Sequence, residues 1–478
     1  MSALPQPLPL ETQQALRAAF ERLRAGYEAE RDPTHAVRTD RLRRLEAMVE
    51  RMAGPMCEAI AADFGHRPRQ VTQMADIAPV LMSSRHARRH LKAWMRTRRM
   101  PTSLIHRPGT NTLMRQPLGV VGIVSPWNFP GLLALAPAVA ALAAGNRVML
   151  KPSEIGPRFA ALLHDEVGRA FAPDEMVVVT GDAELARAFV SLPFNHLLYT
   201  GSTAVGRQVA MAAAANLTPV TLELGGKSPA IIGAGAEMPR STLRLAAGKL
   251  LNAGQACIAP DYVAVPRARV DAFVDGMRRA HRKLHPTVAG NPDAASIATE
   301  RHFQRLLALL DDARAQGGQV VPLLDEAPDA RRRQMPLHLV LQPKPGMRVM
   351  QEEIFGPILP VLPYGHIDEV IAHVNAGDRP LALYWFGRDR AERDQVLRQT
   401  VVGGVTINDT LWHIAQESLP FGGVGASGIG AYHGEWGFRT FSKETGVYHQ
   451  SPASGIGLLY PPYGATFDKI SALLTKVG

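Results

Sequence analysis

Cys257 and Glu223 are the residues of this chain best suited to covalent chemistry. Cys257 stands in Asn252-Ala253-Gly254-Gln255-Ala256-Cys257-Ile258-Ala259-Pro260, 34 positions after Glu223 in Glu223-Leu224-Gly225-Gly226-Lys227. A thiolate attacks carbonyl carbon readily, and a carboxylate can draw a proton from water. Together they are the parts needed to form a thioester and then hydrolyse it. The thiol needs a nearby cation or helix N-terminus to ionise at neutral pH. Cys57, the other cysteine, borders the helical stripe Leu45, Met48, Val49, Met52, Met56, Ala59 and Ile60, so it reads as a buried structural thiol. Spacing does not make Cys257 and Glu223 partners. The fold has to do that.

Other polar groups fall where strands should end. Asn128 lies in Ser125-Pro126-Trp127-Asn128-Phe129-Pro130, after the apolar run 120–124. An amide there can donate to a developing oxyanion; otherwise the segment is only a proline-bounded loop. Lys151 opens Lys151-Pro152-Ser153-Glu154. A lysine at a strand end is commonly solvated, but at a topological switch point it can meet ribose hydroxyls, with Glu154 reaching the adenosine ribose. A carboxylate there favours NAD, because the 2′-phosphate of NADP would meet a like charge; Ser153 leaves room for both. Gly201-Ser202 separates a β-rich run from a helical one, where backbone N–H groups favour phosphate.

Three familiar motifs fail. Gly226-Lys227-Ser228 resembles the end of a P-loop, but Thr221 stands where its first glycine belongs. Gly201 and Gly206 have P-loop spacing and are followed by Arg207-Gln208. Gly425-Ala426-Ser427-Gly428 misses the serine-hydrolase elbow, its last glycine coming one position early. No G-x-G-x-x-G follows the first strand, and no metal site is assigned.

These groups need elements to hold them. β-rich runs at 119–124, 147–151, 176–180, 196–200 and 219–224 alternate with helical patterns at 132–144, 158–170, 183–191 and 204–215. The alternation predicts a parallel, doubly wound sheet with ligands at the carboxyl ends of its strands. A second α/β segment follows. Its strand candidates are 262–265, 338–341, 381–386 and 402–407, and its helix candidates 268–284, 302–315 and 367–375. Residues 11–64 read as helices, 287–298 and 323–336 as loops, and the domain boundary falls at Gly225-Gly226.

The 478 residues suffice for two or three domains. Two cysteines give no disulfide framework, and no basic region followed by an apolar core opens the chain, so a cytoplasmic location is expected. The longest apolar run, 131–145, contains Pro137 and falls short of the roughly 20 residues a spanning helix needs. No membrane partner is expected. The net charge is +10, densest at Arg88, Arg89, Lys92, Arg96, Arg98 and Arg99. The excess is spread along the chain and no nucleic-acid module is present, so this stretch reads as the solvated face of a helix that buries Leu91, Trp94 and Met95.

Seven stretches, in order across about 40–450, resemble the NAD(P)-dependent aldehyde dehydrogenase superfamily: Pro126-Trp127-Asn128, Lys151-Pro152-Ser153-Glu154, Thr200-Gly201-Ser202, Glu223 to Pro229, Gly254-Gln255-Ala256-Cys257, Glu352-Glu353-Ile354-Phe355-Gly356-Pro357 and Pro420-Phe421-Gly422-Gly423. The resemblance implies an α/β fold with a Rossmann-type cofactor domain (1–109 and 119–225), a second α/β catalytic domain (226–425), a small β oligomerisation element (110–118 and 426–450) and a tail (451–478). It implies a homodimer or homotetramer. By resemblance, Cys257 attacks the aldehyde, and the Asn128 side chain and the Cys257 N–H hold the oxyanion. Hydride passes to the nicotinamide, and Glu223 activates the water that releases the acid. Ser125, Pro126, Trp127, Lys151, Ser153, Glu154, Gly201, Ser202, Leu224, Gly225, Glu353 and Phe355 would form the cofactor site.

Acylating relatives that pass the thioester to coenzyme A lack a glutamate at the position of Glu223, so the resemblance implies free acid as product. Asn408-Asp409 with His413, Ser418-Leu419-Pro420 and Gly422-Gly423-Val424-Gly425 resemble the class 3 branch. Asp63-Phe64-Gly65-His66-Arg67, Arg85-His86-Ala87-Arg88-Arg89, the stretch Leu250 to Gln255 and Ala259-Pro260-Asp261-Tyr262 resemble its coniferyl aldehyde dehydrogenases. That implies an aromatic substrate, with Trp127, Phe129, Trp412 and Phe421 as candidate pocket walls. The alternatives are a long-chain aliphatic aldehyde with the same chemistry, or a basic binding protein on the same fold. Tyr199 departs from the family's frequent phenylalanine, and no cysteine flanks Cys257.

Overall fold

A computed structural model describes residues 8–477; the proline-rich opening 1–7 lies outside the described residues. The five β-rich runs of 119–226 form one sheet, each within two residues of its expected bounds. The spatial order is Gly428–Ile429, Val220–Glu223, His196–Thr200, Val120–Val124, Arg147–Lys151, Met176–Val178. All neighbours are parallel except Gly428–Ile429, which runs antiparallel with Gly428 opposite Glu223. The winding reverses between Val120–Val124 and His196–Thr200, which sets a ligand crevice at their carboxyl ends.

Helices cover both faces. His35–Phe64 starts at Thr34, whose Oγ1 accepts from the Val37 N–H, and stops at Gly65, whose φ of +84° suits glycine. Its expected stripe is buried, Cys57 included, except for half-buried Ala59. Pro130–Ala143 is apolar almost all round and is buried on nearly every side, wedged between the sheet and the helix Ala78–Trp94. That second helix buries Leu91 and Trp94 and sends Arg85 to Glu50 (2.8 Å) and Arg88 to Glu46 (2.6 Å).

The second sheet has seven strands in the order Gln319–Pro322, His338–Leu341, Ile358–Tyr364, Tyr262–Pro266, Pro229–Ile232, Ala382–Phe386, Gly404–Ile407. Only Gln319–Pro322 is antiparallel. Gln319–Pro322, Ile358–Tyr364 and Pro229–Ile232 lie beyond the expected set.

The third sheet is antiparallel: Arg98–Met100, Thr110–Pro117, Ser442–His449. The sequence placed 426–450 wholly in this element. Residues 427–429 instead join the cofactor sheet, where Leu224 N donates to Ser427 O (3.0 Å). Gly428 permits this, because a Cβ there would lie 2.3 Å from Leu222 O. Among the described residues no helix is long and apolar enough to cross a membrane.

Candidate active site

The loop of Cys257 begins where the helix Met238–Leu250 ends. Asn252, Ala253 and Gly254 take φ of +51°, +54° and +74° in the turn Leu251–Gly254. Left-handed backbone costs about 1–2 kcal/mol at each non-glycine residue, so its surroundings must impose it. Gln255 supplies much of that constraint. Buried, it donates from Nε2 to Asn252 O (2.9 Å) and Ser296 O (3.0 Å), and its Oε1 accepts from Ala298 N (2.9 Å). Gly254 has room for no Cβ, which would lie 2.6 Å from Gly356 O. Cys257 emerges half-buried from this braced turn.

Asn128 is bonded to the same turn in both directions. Its Nδ2 donates to Gln255 O (3.3 Å), and its own carbonyl accepts from Asn252 Nδ2 (3.0 Å). An amide nitrogen carries two hydrogens, so one remains for an oxyanion beside Cys257.

Glu223 ends its strand 1 % exposed, and among the described residues neither carboxylate oxygen has a hydrogen-bond partner. Burial alone raises its pKa well above the ordinary carboxylate range. The Cys257 thiol is pushed up to about 12, first by burial and then by Glu353 and Glu223. The three acids therefore share one neighbourhood. Tyr432 joins them. Its hydroxyl is buried without a partner, and its pKa is raised by burial and then by Glu223 and Cys257.

The candidate cofactor residues line the strand ends. Ser125 N donates to Lys151 O (3.1 Å) and Gly201 N to Glu223 O (3.0 Å), tying four neighbouring strand ends in two pairs. Ser125 Oγ and Thr200 Oγ1 are buried without partners. Pro126 and Trp127 continue from Ser125 toward Asn128. Buried Lys151 reaches Pro152 O (3.1 Å) and the half-exposed Glu154 (3.3 Å), while Ser153 Oγ caps the Ile155 N–H. Ser202 caps the twelve-residue helix Thr203–Ala214 next to Gly201, so first-turn N–H groups face the crevice end. The Tyr199 hydroxyl lies against Gly201, leaving no space for a Cβ.

From the second domain, Glu353 brings its carboxylate against Gly225, next to Leu224, where a Cβ would lie 2.3 Å from Oε2. Burial first, then Asp261, pushes Glu353 up to about 8. Its segment is locked from several sides. Lys227 pairs with Asp261 and donates to Val349 O (2.7 Å) and Glu352 O (3.0 Å). Asp261 accepts from Ile354 N (2.8 Å), Arg305 donates to Ile354 O (2.9 Å), and His302 holds Phe355 O (2.8 Å). Phe355, at φ +56°, sets its ring 5.6 Å from Trp127. Orphaned hydroxyls, a helix N-terminus, a buried lysine and a cradled carboxylate are donors and acceptors suited to the phosphates and riboses of NAD(P).

Of the candidate pocket residues, Phe129 belongs to one apolar cluster with Ala256 and Ala259, on either side of Cys257 in the chain. Phe421 stacks between His413 (6.1 Å) and His433 (5.2 Å). Trp412 is 56 % exposed, in a turn where Leu411 is left-handed, so it can shape an entrance but not a buried wall. Sequence reasoning did not single out Tyr432, Arg305 or His302. Each acts across tens to hundreds of residues, and nothing in the local pattern marks it.

The description "Aldehyde dehydrogenase family" matches residues 7–447. A probable coniferyl aldehyde dehydrogenase of Pseudomonas aeruginosa is 46 % identical over 455 residues, 95 % of each chain. A coniferyl aldehyde dehydrogenase of a Pseudomonas species is 43 % identical over 464 residues, 96 % of each. The substrate-bound structure of Staphylococcus aureus AldH superposes with a TM-score of 0.91 at 34 % identity, covering 96 % of this chain and 99 % of that one. With a family model matched over most of its length and relatives this similar, the chain belongs to the aldehyde dehydrogenase family.

Proposed function

We propose that this enzyme oxidises an aromatic aldehyde of the coniferaldehyde type to its free acid with NAD or NADP. One observation carries the reading: Asn128 is hydrogen-bonded to the turn that presents Cys257, and buried Glu223 lies close enough to raise that thiol's pKa. The Cys257 thiol gives up its proton to water, and the thiolate adds to the aldehyde carbon. The oxygen gains negative charge and accepts hydrogen bonds from Asn128 Nδ2 and the Cys257 N–H, a contribution of roughly 3–4 kcal/mol per donor in such sites. When bound, NAD(P) supplies the hydride acceptor that turns the thiohemiacetal into a thioester. Lys151 and Glu154 would hold its adenosine ribose, Gly201 and Ser202 its pyrophosphate and Glu353 its nicotinamide ribose, with Phe355 packing near the ring. Glu223 takes a proton from water, hydroxide adds to the thioester carbon, and the Cys257 sulfur leaves.

The names of the two Pseudomonas relatives support the aromatic substrate, as do Phe129 beside the nucleophile's loop and the orphaned Tyr432 hydroxyl. The cofactor domain is assigned to 1–109, apart from Arg98–Met100 in the third sheet, and 119–225, and the catalytic domain to 226–425. The sheet of Thr110–Pro117 and Ser442–His449 is assigned to oligomerisation, since Ser442–His449 pairs on one side only. Light scattering should then give a dimer or tetramer. The deciding assay follows reduced-nicotinamide absorbance with coniferaldehyde, benzaldehyde and decanal, each with both cofactors. Coniferaldehyde should give the highest kcat/KM, and Cys257→Ser should abolish the signal. A preference for decanal overturns the substrate class, and turnover by Cys257→Ser overturns the nucleophile.

A further inference from the structure

Arg67 and Asp76 form an ion pair whose side chains are both 0 % exposed, with Arg67 Nη2 2.8 Å from Asp76 Oδ2. No role in the chemistry proposed above accounts for it. Burying both charges gives up hydration that their mutual attraction barely repays, and an apolar pair of similar size would serve stability as well. Its other bonds are specific. Arg67 Nη1 donates to the carbonyl of Asn128 (3.2 Å). Asp76 Oδ1 accepts from Gly131 N (2.9 Å) and Leu132 N (3.2 Å), the first-turn N–H groups of Pro130–Ala143.

The pair thus grips the backbone at the carbonyl of Asn128 and again at Gly131 and Leu132, just after Phe129. Asp76 reaches this place from Gln73–Ile77, a π-helical turn of the kind often found near functional sites. Gly131 lets it approach, since a Cβ there would lie 3.1 Å from Asp76 Cβ. The Arg67 guanidinium also lies over the rings of Phe64 (5.3 Å) and Phe129 (5.0 Å), which restricts its own freedom.

We propose that Arg67 and Asp76 are positioning residues for Asn128. The pair fixes the carbonyl of Asn128 and the helical turn that follows it, and so aims Nδ2 at the oxyanion beside Cys257. The inference rests on Asn128 being the oxyanion donor. Neither residue touches substrate. Their effect passes through one side chain, and a double-mutant cycle can isolate it.

The cycle compares Arg67→Lys, Asn128→Ala and the double variant. It reads the first burst of reduced-nicotinamide absorbance, the KM for aldehyde, and cofactor affinity by protein-fluorescence quenching. Arg67→Lys keeps a cation for Asp76 but has one nitrogen where two are needed. Misalignment of about 1 Å can cost around 100-fold, so its burst rate should fall by about 10- to 100-fold with cofactor affinity within about twofold of wild type. Asn128→Ala should cost about 100- to 1000-fold. Adding Arg67→Lys to Asn128→Ala should cost less than about threefold. An equal loss in both backgrounds, or no loss from Arg67→Lys alone, overturns the positioning role. A wild-type burst in Asn128→Ala overturns the oxyanion reading itself and is recognisable as such. Should Arg67→Lys not fold, Asp76→Asn, which keeps an acceptor for Gly131 and Leu132, enters the same cycle under the same criteria.

Discussion

Replacing Glu223 by glutamine should separate two consequences of one buried carboxyl. The side chain is 1 % exposed, neither oxygen has a partner, and burial raises its pKa well above 4.5. The folded state therefore holds this proton more tightly than the unfolded chain does. The stability it contributes is fully present below the unfolded pKa and is lost as pH rises toward the folded one. Between those two values the loss grows by about 1.4 kcal/mol per pH unit. Glutamine has nearly the same shape and no proton to lose. Wild type and Glu223→Gln should thus melt alike near pH 4.5, with the variant ahead by a few degrees at pH 7, in scanning calorimetry of the cofactor-free protein. Kinetically the variant should keep its burst and lose steady turnover by about 100- to 10,000-fold, the range of general-base contributions. A melting difference that stays flat from pH 4.5 to 7 refutes the buried, unpaired carboxyl. Loss of the burst together with turnover refutes its role as the water-activating base.

Four further outcomes follow from the structure. With the Cys257 thiol pushed up to about 12, its alkylation by iodoacetamide in a Cys57→Ser background should still climb about tenfold per pH unit between pH 8 and 10; a plateau below pH 9 would show an ionised resting thiol. Oxidised cofactor brings a positive ring, so it should accelerate that alkylation more than the reduced form does. His196, His338, His413 and His433 are buried with pKa values lowered to about 4, so below the unfolded value of 6.5 the unfolded chain gains protons that the fold cannot. Each should cost about 2 kcal/mol by pH 5, visible as a falling urea midpoint that His196→Asn makes shallower. Trp412→Ala, at an exposed ring, should change kcat/KM for benzaldehyde by less than about threefold, whereas a tenfold loss would place that ring against substrate.

The five parallel strands of the cofactor sheet were legible because each is a short apolar run fenced by glycine, proline or a helical pattern, and a parallel strand buried on both faces reads that way. Ile358–Tyr364 carries Pro360 and Pro363, and proline inside a run argues against an interior strand. The sheet tolerates them through a stagger. The first half of the strand pairs with His338–Leu341 and the second with Tyr262–Pro266, overlapping only at Val361. Each proline therefore has one neighbouring strand, and its missing N–H can face the open side. No local pattern encodes such a stagger. Pro229–Ile232 was hidden differently: four residues directly after the Gly225-Gly226 boundary are too few to show a period.

The same distinction divides the site. Cys257, Glu223 and Asn128 stood out because chemistry restricts which residue types can act, and each occupies a loop or strand end where such a residue has no packing purpose. Their supports did not stand out. Gln255 braces the nucleophile's turn through Ser296 and Ala298, about forty residues away, and Arg67 reaches Asn128 across 61. In sequence these are an ordinary glutamine and an ordinary arginine. What makes them matter is the cost of the arrangement they sustain: two left-handed non-glycine residues, and a charge pair removed from water. A strained turn and a buried ion pair persist only where several contacts impose them together. Those contacts converge on the carbonyl and amide of Asn128 and on the turn before Cys257, the two places where an error of an ångström would cost the most rate.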